Sequence, residues 1–280
     1  MSEQFTIAQS QRLTDLNAEE HIVESTYETV EERNKAFKAL EGNLVKENRK
    51  KLEALMQVEH VPLSLRVEQD LSDWLTGDAG FTRVATPTII TSEQLDKMSI
   101  TSGNALREQV FWVGGKKCLR PMLAPNLYGL MRDIHKITNE PVRIFEAGSC
   151  FRKESQGAQH MNEFTMLNMV ELAGVAEGEQ LERLHDFAKE AMAAVGINDY
   201  KLVVEKSAVY GETMDIEVDG IEIASGAYGP HSLDAQWGIF DTWVGIGFGI
   251  ERIAMIKGEY RTIKRAGKST GYLDGIPLKL

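Results

Sequence analysis

Two alternating runs constrain this chain more than anything else in it. Residues 143–154, RIFEAGSCFRKE, and residues 162–172, NEFTMLNMVEL, are separated by a short polar, glycine-containing stretch. Side chains alternate faces along a strand, so the pair reads as an antiparallel hairpin. Phe164, Met166, Asn168 and Val170 share one face of the second strand, and Gly148, Cys150 and Arg152 share one face of the first. If those faces coincide, the sheet presents an arginine, a flat aromatic ring and a lone amide among small or apolar groups. Arginine's planar fork suits phosphate or carboxylate, and a phenylalanine ring offers a stacking surface for a purine. An amide among apolar side chains needs partners, because leaving it unpaired costs about 1–3 kcal/mol. An ordinary surface hairpin with a satisfied asparagine would show the same pattern, so the hairpin alone leaves its role open.

Around it, strands outnumber helices and do not alternate with them regularly. That favours an α+β fold with an antiparallel sheet over a doubly wound parallel one. Val67, Leu71, Trp74 and Leu75 recur at helical spacing, with Gly77 as the expected stop. GFTRVATPTII (80–90) reads as a strand carrying Pro87, which suits an edge or an interface. Further helical stretches are expected near 126–138, 177–195 and 250–258. Residues 1–60 lack proline and read as a short N-terminal helical segment, Pro62 marks the first boundary, and 61–280 form the main domain.

The net charge of −11 argues against a general nucleic-acid coat or an anionic-membrane binder. Within that acidic whole, Arg33, Lys35, Lys38, Lys46, Arg49, Lys50 and Lys51 outnumber Glu41 and Glu47 between 33 and 51. This is either a phosphate-binding stripe or a solvated helix face. The two cysteines, Cys118 and Cys150, have no zinc-ligand spacing and are expected to be reduced, half-buried thiols. No run approaches the roughly 20 apolar residues a membrane span needs, and the N-terminus has no apolar signal region. The chain reads as cytoplasmic.

A third element is TWVGIGFGIERIAMI (242–256), an apolar strand with glycines at 245, 247 and 249 that runs into a helix opening on Glu251 and Arg252. It is neither a Walker loop nor a dinucleotide fingerprint. Its glycines clear one strand face for a ligand, which Arg252 can reach from the helix start.

GFTRVATPTII, FRKES…NEFTMLN and GIGFGIERI occur in order and resemble motifs 1, 2 and 3 of the class II aminoacyl-tRNA synthetases. With LRPMLAPNLYGLMRD (119–133) and VYGETMDIE (209–217), the resemblance is closer still to the catalytic domain of pyrrolysyl-tRNA synthetases, and it runs from about Gln11 to the terminal GYLDGIPLKL. It implies a class II antiparallel sheet flanked by helices, a homodimer with Pro87 at its interface, and ATP-dependent activation of pyrrolysine or a related Nε-acyl-lysine. The acyl group would pass to the 3′ end of an amber-decoding pyrrolysine tRNA.

The resemblance also assigns residues. Arg152 would bridge α-phosphate and carboxylate, Arg252 would hold the γ-phosphate, and Phe164 would stack on adenine, with Glu154, His160 and Met161 in a loop over the base. Glu222 and Ser225 would bind Mg²⁺. They differ in strand parity, so a bulge near Ala224 is expected to bring them together. His160 as a metal ligand is disfavoured, since no second histidine stands at ligand spacing. The amino-acid pocket would comprise Ala124, Leu127, Tyr128, Met131, Met166, Val170, Trp243 and Gly245, with Asn168 and Tyr210 as polar contacts. The form resembled is the catalytic-domain-only bacterial type, which implies a separate N-terminal tRNA-binding protein as a possible partner. The stripe at 33–51 and KGEYRTIKRAGK (257–268) are the candidates for tRNA phosphate contacts. A synthetase for another large amino acid, such as phenylalanine, and an amino-acid-sensing paralogue are the rival readings. Asn168 argues against the first, and the retained Arg152, Glu222 and Arg252 against the second.

Overall fold

The computed structural model describes residues 2–153, 157, 159–207 and 209–280. These divide into two compact units, one of residues up to Pro62 together with Ser269–Leu280, the other Leu63–Lys268.

The first unit is built on the helix Val30–Leu55. Thr29 caps it by accepting from the Glu32 amide, and Glu31 and Glu32 place negative charge in its first turn. Shorter helices span Ile7–Asp15 and Glu20–Val23, and a two-stranded ribbon pairs Glu3–Gln4 with Thr26–Tyr27. Phe5, Leu13 and Ala18 form its small core against Phe37 and Leu40. On the long helix Lys35, Lys38, Lys46, Arg49, Lys50 and Lys51 are exposed, while Arg33 pairs with Glu3 at 3.2 Å. The C-terminal hairpin, Tyr272–Leu273 with Ile276–Pro277, belongs to this unit, where the Asn17 amide donates to the Gly275 carbonyl at 2.9 Å. The unit is therefore made from both ends of the chain.

In the second unit, helix α1 (Leu63–Asp73) continues as a π turn, Trp74–Asp78, past the expected stop at Gly77. Val67, Leu71, Trp74 and Leu75 are all buried, as their spacing requires. The run 80–90 is not one strand. Thr82–Arg83 is the short strand β1, whereas Ile89–Thr91 joins a separate sheet with Trp112–Gly114 and Lys117–Leu119. Pro87, which has no N–H for a ladder, lies in the break between them.

Helix α2 (Ala124–Thr138) leads to the long hairpin β2 (Val142–Phe151) and β3 (Glu163–Leu172). Helix α3 (Gln180–Ala194) follows, then β4 (Lys201–Ser207), β5 (Gly211–Val218), β6 (Ile221–Gly229), β7 (Trp243–Gly249) and helix α4 (Ile250–Lys257). Among the described residues these strands form a seven-stranded sheet in the order β1-β2-β3-β7-β6-β5-β4, antiparallel throughout except for the parallel β1–β2 pair. Alternation then divides two cores. Phe145, Leu167, Met169, Ile246 and Phe248 pack on α1, α3 and α4 residues such as Leu71, Phe187 and Ile253. Ile144, Val170, Ala227 and Trp243 pack on Leu127, Tyr128 and Met131 of α2. This is the expected α+β class.

Both cysteines are free and fully buried rather than half-buried. Burial pushes the thiol of Cys118 up to about 11 and that of Cys150 to about 12. No helix among the described residues is long and apolar enough to cross a membrane.

Candidate active site

The register of the hairpin brings its two marked faces together. Cys150 lies opposite Phe164, Gly148 opposite Met166, Glu146 opposite Asn168 and Ile144 opposite Val170. Arg152 follows directly, its backbone amide bonded to the Asn162 carbonyl. Its Nε donates to the Pro121 carbonyl at 2.9 Å, and its guanidinium stands 5.3 Å from the centre of the Phe164 ring.

On the other side of β3 lies β7, with Gly245 opposite Val170, Gly247 opposite Asn168 and Gly249 opposite Met166. These glycines leave the sheet floor bare beside the hairpin. A Cβ at 245 would stand 2.9 Å from the Met169 carbonyl oxygen, and one at 247 would stand 3.0 Å from Asn168 Nδ2.

Above this floor is a cleft of about 350 Å³ lined by Arg152, His160, Met161, Phe164, Met166, Asn168, Glu222, Ser225 and Arg252, among others. A narrower cavity of about 60 Å³ continues it, bounded by Ala124, Leu127, Tyr128, Met131, Val170, Trp243 and Gly245. Asn168, Tyr210, Ser225 and Gly247 line both. The structure thus gathers the sequence-derived residues into one cleft and its apolar extension, apart from Glu154, which lies outside the described residues. Leu127, Tyr128 and Met131 reach the slot because helical spacing turns them to the sheet. Asn168 Oδ1 is buried and has no hydrogen-bond partner among the described residues.

The charged end of the cleft depends on an irregularity. The β5–β6 register shifts between Ile216 and Glu217, so that Ile216 faces Ala224 and Glu217 faces Glu222. That is the bulge the parity of 222 and 225 demands, and both residues line the cleft. Arg252 donates to the Glu222 carbonyl at 2.9 Å and lies 3.4 Å from its carboxylate. Burial raises the Glu222 carboxyl above its ordinary value, Arg252 opposes that, and Asp215 adds to it. Ser225 Oγ donates to Asp215 at 2.6 Å. No group of three or more His, Cys, Asp or Glu placed to hold a metal ion occurs among the described residues. The oxygen donors of Glu222, Ser225 and Asp215 nevertheless suit a hard cation that takes its other ligands from phosphates and water, and a cation would relieve the crowding of Glu222 against Asp215.

Several supporting residues carry no spacing signal. Arg120 and Glu146 form a buried ion pair at 2.7 Å. Thr86 bonds Glu146 at 2.6 Å, and Asn126 bonds both Thr86 Oγ1 and the Pro87 carbonyl at 2.8 Å. Arg120 occupies the space over Gly148 that a Cβ would need and donates to the Ser149 carbonyl at 2.9 Å, so it steadies the hairpin from outside the cleft. Glu251 is buried and accepts the Thr165 amide on both oxygens, at 2.9 and 2.8 Å, tying α4 to the strand that bears Phe164. Only its place beside Arg252 in GIERI marked it in the sequence.

The profile for the tRNA synthetases class II core domain (F) matches residues 8–269. The chain is 47% identical to the crystal structure of pyrrolysyl-tRNA synthetase from Desulfitobacterium hafniense, with all of both chains covered and a TM-score of 0.91. A second structure of a pyrrolysyl-tRNA synthetase from that organism is 46% identical, covering all of this chain and 96% of the other, with a TM-score of 0.89. Among curated proteins, O-phosphoserine–tRNA(Cys) ligases of Methanococcus maripaludis are 23% identical over 163 residues, which is 54% of this chain and only 30% of their length. From three ordered motifs to a full-length match in fold and sequence, the chain belongs to the class II aminoacyl-tRNA synthetases, within the pyrrolysyl-tRNA synthetase family.

Proposed function

We propose that this chain activates pyrrolysine, or a closely related Nε-acyl-lysine, with ATP and transfers it to the 3′ end of pyrrolysine tRNA. The observation that carries the reading is Asn168, a buried amide whose oxygen has no partner among the described residues, where an arginine-flanked cleft meets an apolar slot. A secondary amide is its complement. The acyl carbonyl accepts from Nδ2, or the substrate N–H donates to Oδ1; a trans amide presents the two on opposite sides and uses one at a time. A phenyl ring satisfies neither, and a free lysine would bury an ammonium in a slot lined by no carboxylate among the described residues.

In this reading the substrate carboxylate attacks the α-phosphorus, the bond to pyrophosphate breaks, and a tRNA hydroxyl then displaces AMP from the acyl group. Such steps depend on positioning and charge neutralisation. Arg152 holds α-phosphate and carboxylate in line, Phe164 stacks on adenine, and Arg252 binds the γ-phosphate. Glu222 and Ser225 would hold Mg²⁺, which when bound neutralises phosphate charge. His160 and Met161 close over the base. Pro87 and the exposed Ile89, Trp112 and Val113 lie at the interface of a homodimer, and the basic residues of Val30–Leu55 contact tRNA phosphates, with a separate N-terminal tRNA-binding protein as a further partner.

Asn168→Ala tests this. It removes the donor for a buried substrate carbonyl, a loss of about 2–3 kcal/mol in kcat/KM for an acyl-lysine. It also enlarges an apolar space, so activation of a phenylalanine analogue is spared or improved. Amino-acid-dependent ATP–pyrophosphate exchange on both substrates reads this crossover. Equal losses would make Asn168 structural and favour another large amino acid as substrate.

A further inference from the structure

The far end of the amino-acid slot is held by a residue that does not line it. Asp234, in the short helical turn Ser232–Trp237, is completely buried. Its Oδ1 accepts from the Tyr128 hydroxyl at 2.9 Å, and its Oδ2 accepts from Trp243 Nε1 at 2.7 Å and from the His231 amide at 2.5 Å. All three donors are uncharged. A buried carboxylate is costly unless its oxygens are satisfied, and hydrogen bonds to an ionised acceptor are roughly twice as strong as neutral ones. A carboxylate, acceptor-only with two oxygens, takes the phenol, the indole N–H and the amide at once.

Two of those donors are walls of the slot. The Tyr128 and Trp243 rings meet edge to face, centres 5.6 Å apart, and Tyr210 stands 5.9 Å from Trp243. A Cβ at Gly229 would lie 2.6 Å from Asp234 Oδ2 and collide with the Trp243 indole nitrogen, so backbone closes the back of the pair. Burial, then the neighbouring Tyr210 and Asp234, pushes the Tyr128 phenol well above its ordinary value and keeps it a neutral donor.

We infer that Asp234 is a positioning residue that tethers Tyr128 and Trp243, sets the width of the slot's far end, and so decides which Nε-acyl groups are accepted. This rests on the Asn168 reading. With the acyl carbonyl at Asn168, a bulky acyl group reaches the wall that the tethered rings form, and a small one stops short of it. Untethering the rings weakens the grip on bulky acyl groups and leaves the ATP cleft unaltered.

The test measures KM and kcat by ATP–pyrophosphate exchange for pyrrolysine and Nε-acetyl-lysine, in wild type, Asp234→Ala, Asp234→Asn, Tyr128→Phe and the Asp234→Asn/Tyr128→Phe double variant. Asp234→Ala is expected to raise KM for pyrrolysine about tenfold, equivalent to about 1.4 kcal/mol, with much smaller changes in kcat, in KM for ATP and in KM for acetyl-lysine. Asp234→Asn and Tyr128→Phe both remove the charge-assisted bond between phenol and carboxylate, so their effects on KM should not add. That cycle carries the test if the alanine variant does not fold. Equal rises for both acyl-lysines, an equal rise for ATP, or an additive cycle would overturn the tether while leaving the Asn168 reading intact. A wild-type enzyme that activates neither acyl-lysine would overturn that reading and the tether with it.

Discussion

The side-chain amide of Asn168 lies over the bare backbone of Gly247 on the adjacent strand. A Cβ at 247 would stand 3.0 Å from Nδ2 and 3.1 Å from Oδ1, so any side chain there must move the amide. Gly247→Ala is expected to lower kcat/KM for an acyl-lysine about tenfold or more, because small displacements of a positioning group are expensive. Stability should change little, since the obstacle is a side chain. Gly245→Ala meets the Met169 carbonyl oxygen at 2.9 Å instead, and backbone cannot step aside, so about 1–3 kcal/mol should be lost from stability. Exchange kinetics and denaturant unfolding on the two variants distinguish the cases; the same response in both would mean that the floor yields uniformly.

Arg152 is anchored by the Pro121 carbonyl, faces the Phe164 ring and lines the cleft. Arg152→Ala should slow adenylation by about 10²–10³, the scale set by deleting one donor to developing charge. Pyrophosphate exchange at nearly the wild-type rate would remove Arg152 from the reacting centre.

Burial, the largest cause, holds the Glu251 carboxyl above its ordinary value against the opposing pull of the Thr165 amide. A carboxyl raised on folding binds its proton more tightly in the folded chain. The stability it carries is full below the unfolded-state value and is lost as pH rises through the folded-state value. Glu251→Gln abolishes that titration and keeps an acceptor for Thr165, so the variant should gain on wild type as pH rises across this window. Denaturant midpoints at a series of pH values measure it. Curves that differ only by a constant offset would show that Glu251 does not titrate there.

Lys50 and Lys51 are exposed on the long helix of the first unit. Replacing both by glutamate should weaken tRNA charging and flatten its salt dependence, since phosphate contacts release counterions. Pyrophosphate exchange without tRNA should be unaffected. An unaltered salt slope would mark these lysines as a solvated face.

Residue order determined the hairpin and the helices on their own, because periods of 2 and 3.6 are local properties that burial only has to respect. It also placed Phe164, Asn168 and Val170 on one face, and once the family resemblance paired Glu222 with Ser225, their opposite parity required a bulge between them. Tertiary structure decided what parity cannot express. It broke the run 80–90 at Pro87 into two sheets, carried the Leu63 helix into a π turn past Gly77, joined the C-terminal hairpin to the N-terminal unit, and sealed both thiols. It also placed Arg120 against Glu146 and Asp234 between Tyr128 and Trp243. Arg120 stands 26 residues from Glu146 and Tyr128 stands 106 from Asp234, and a buried charge is tolerated only where folding brings its hydrogen-bond partners to it, so neither arrangement has a local signature.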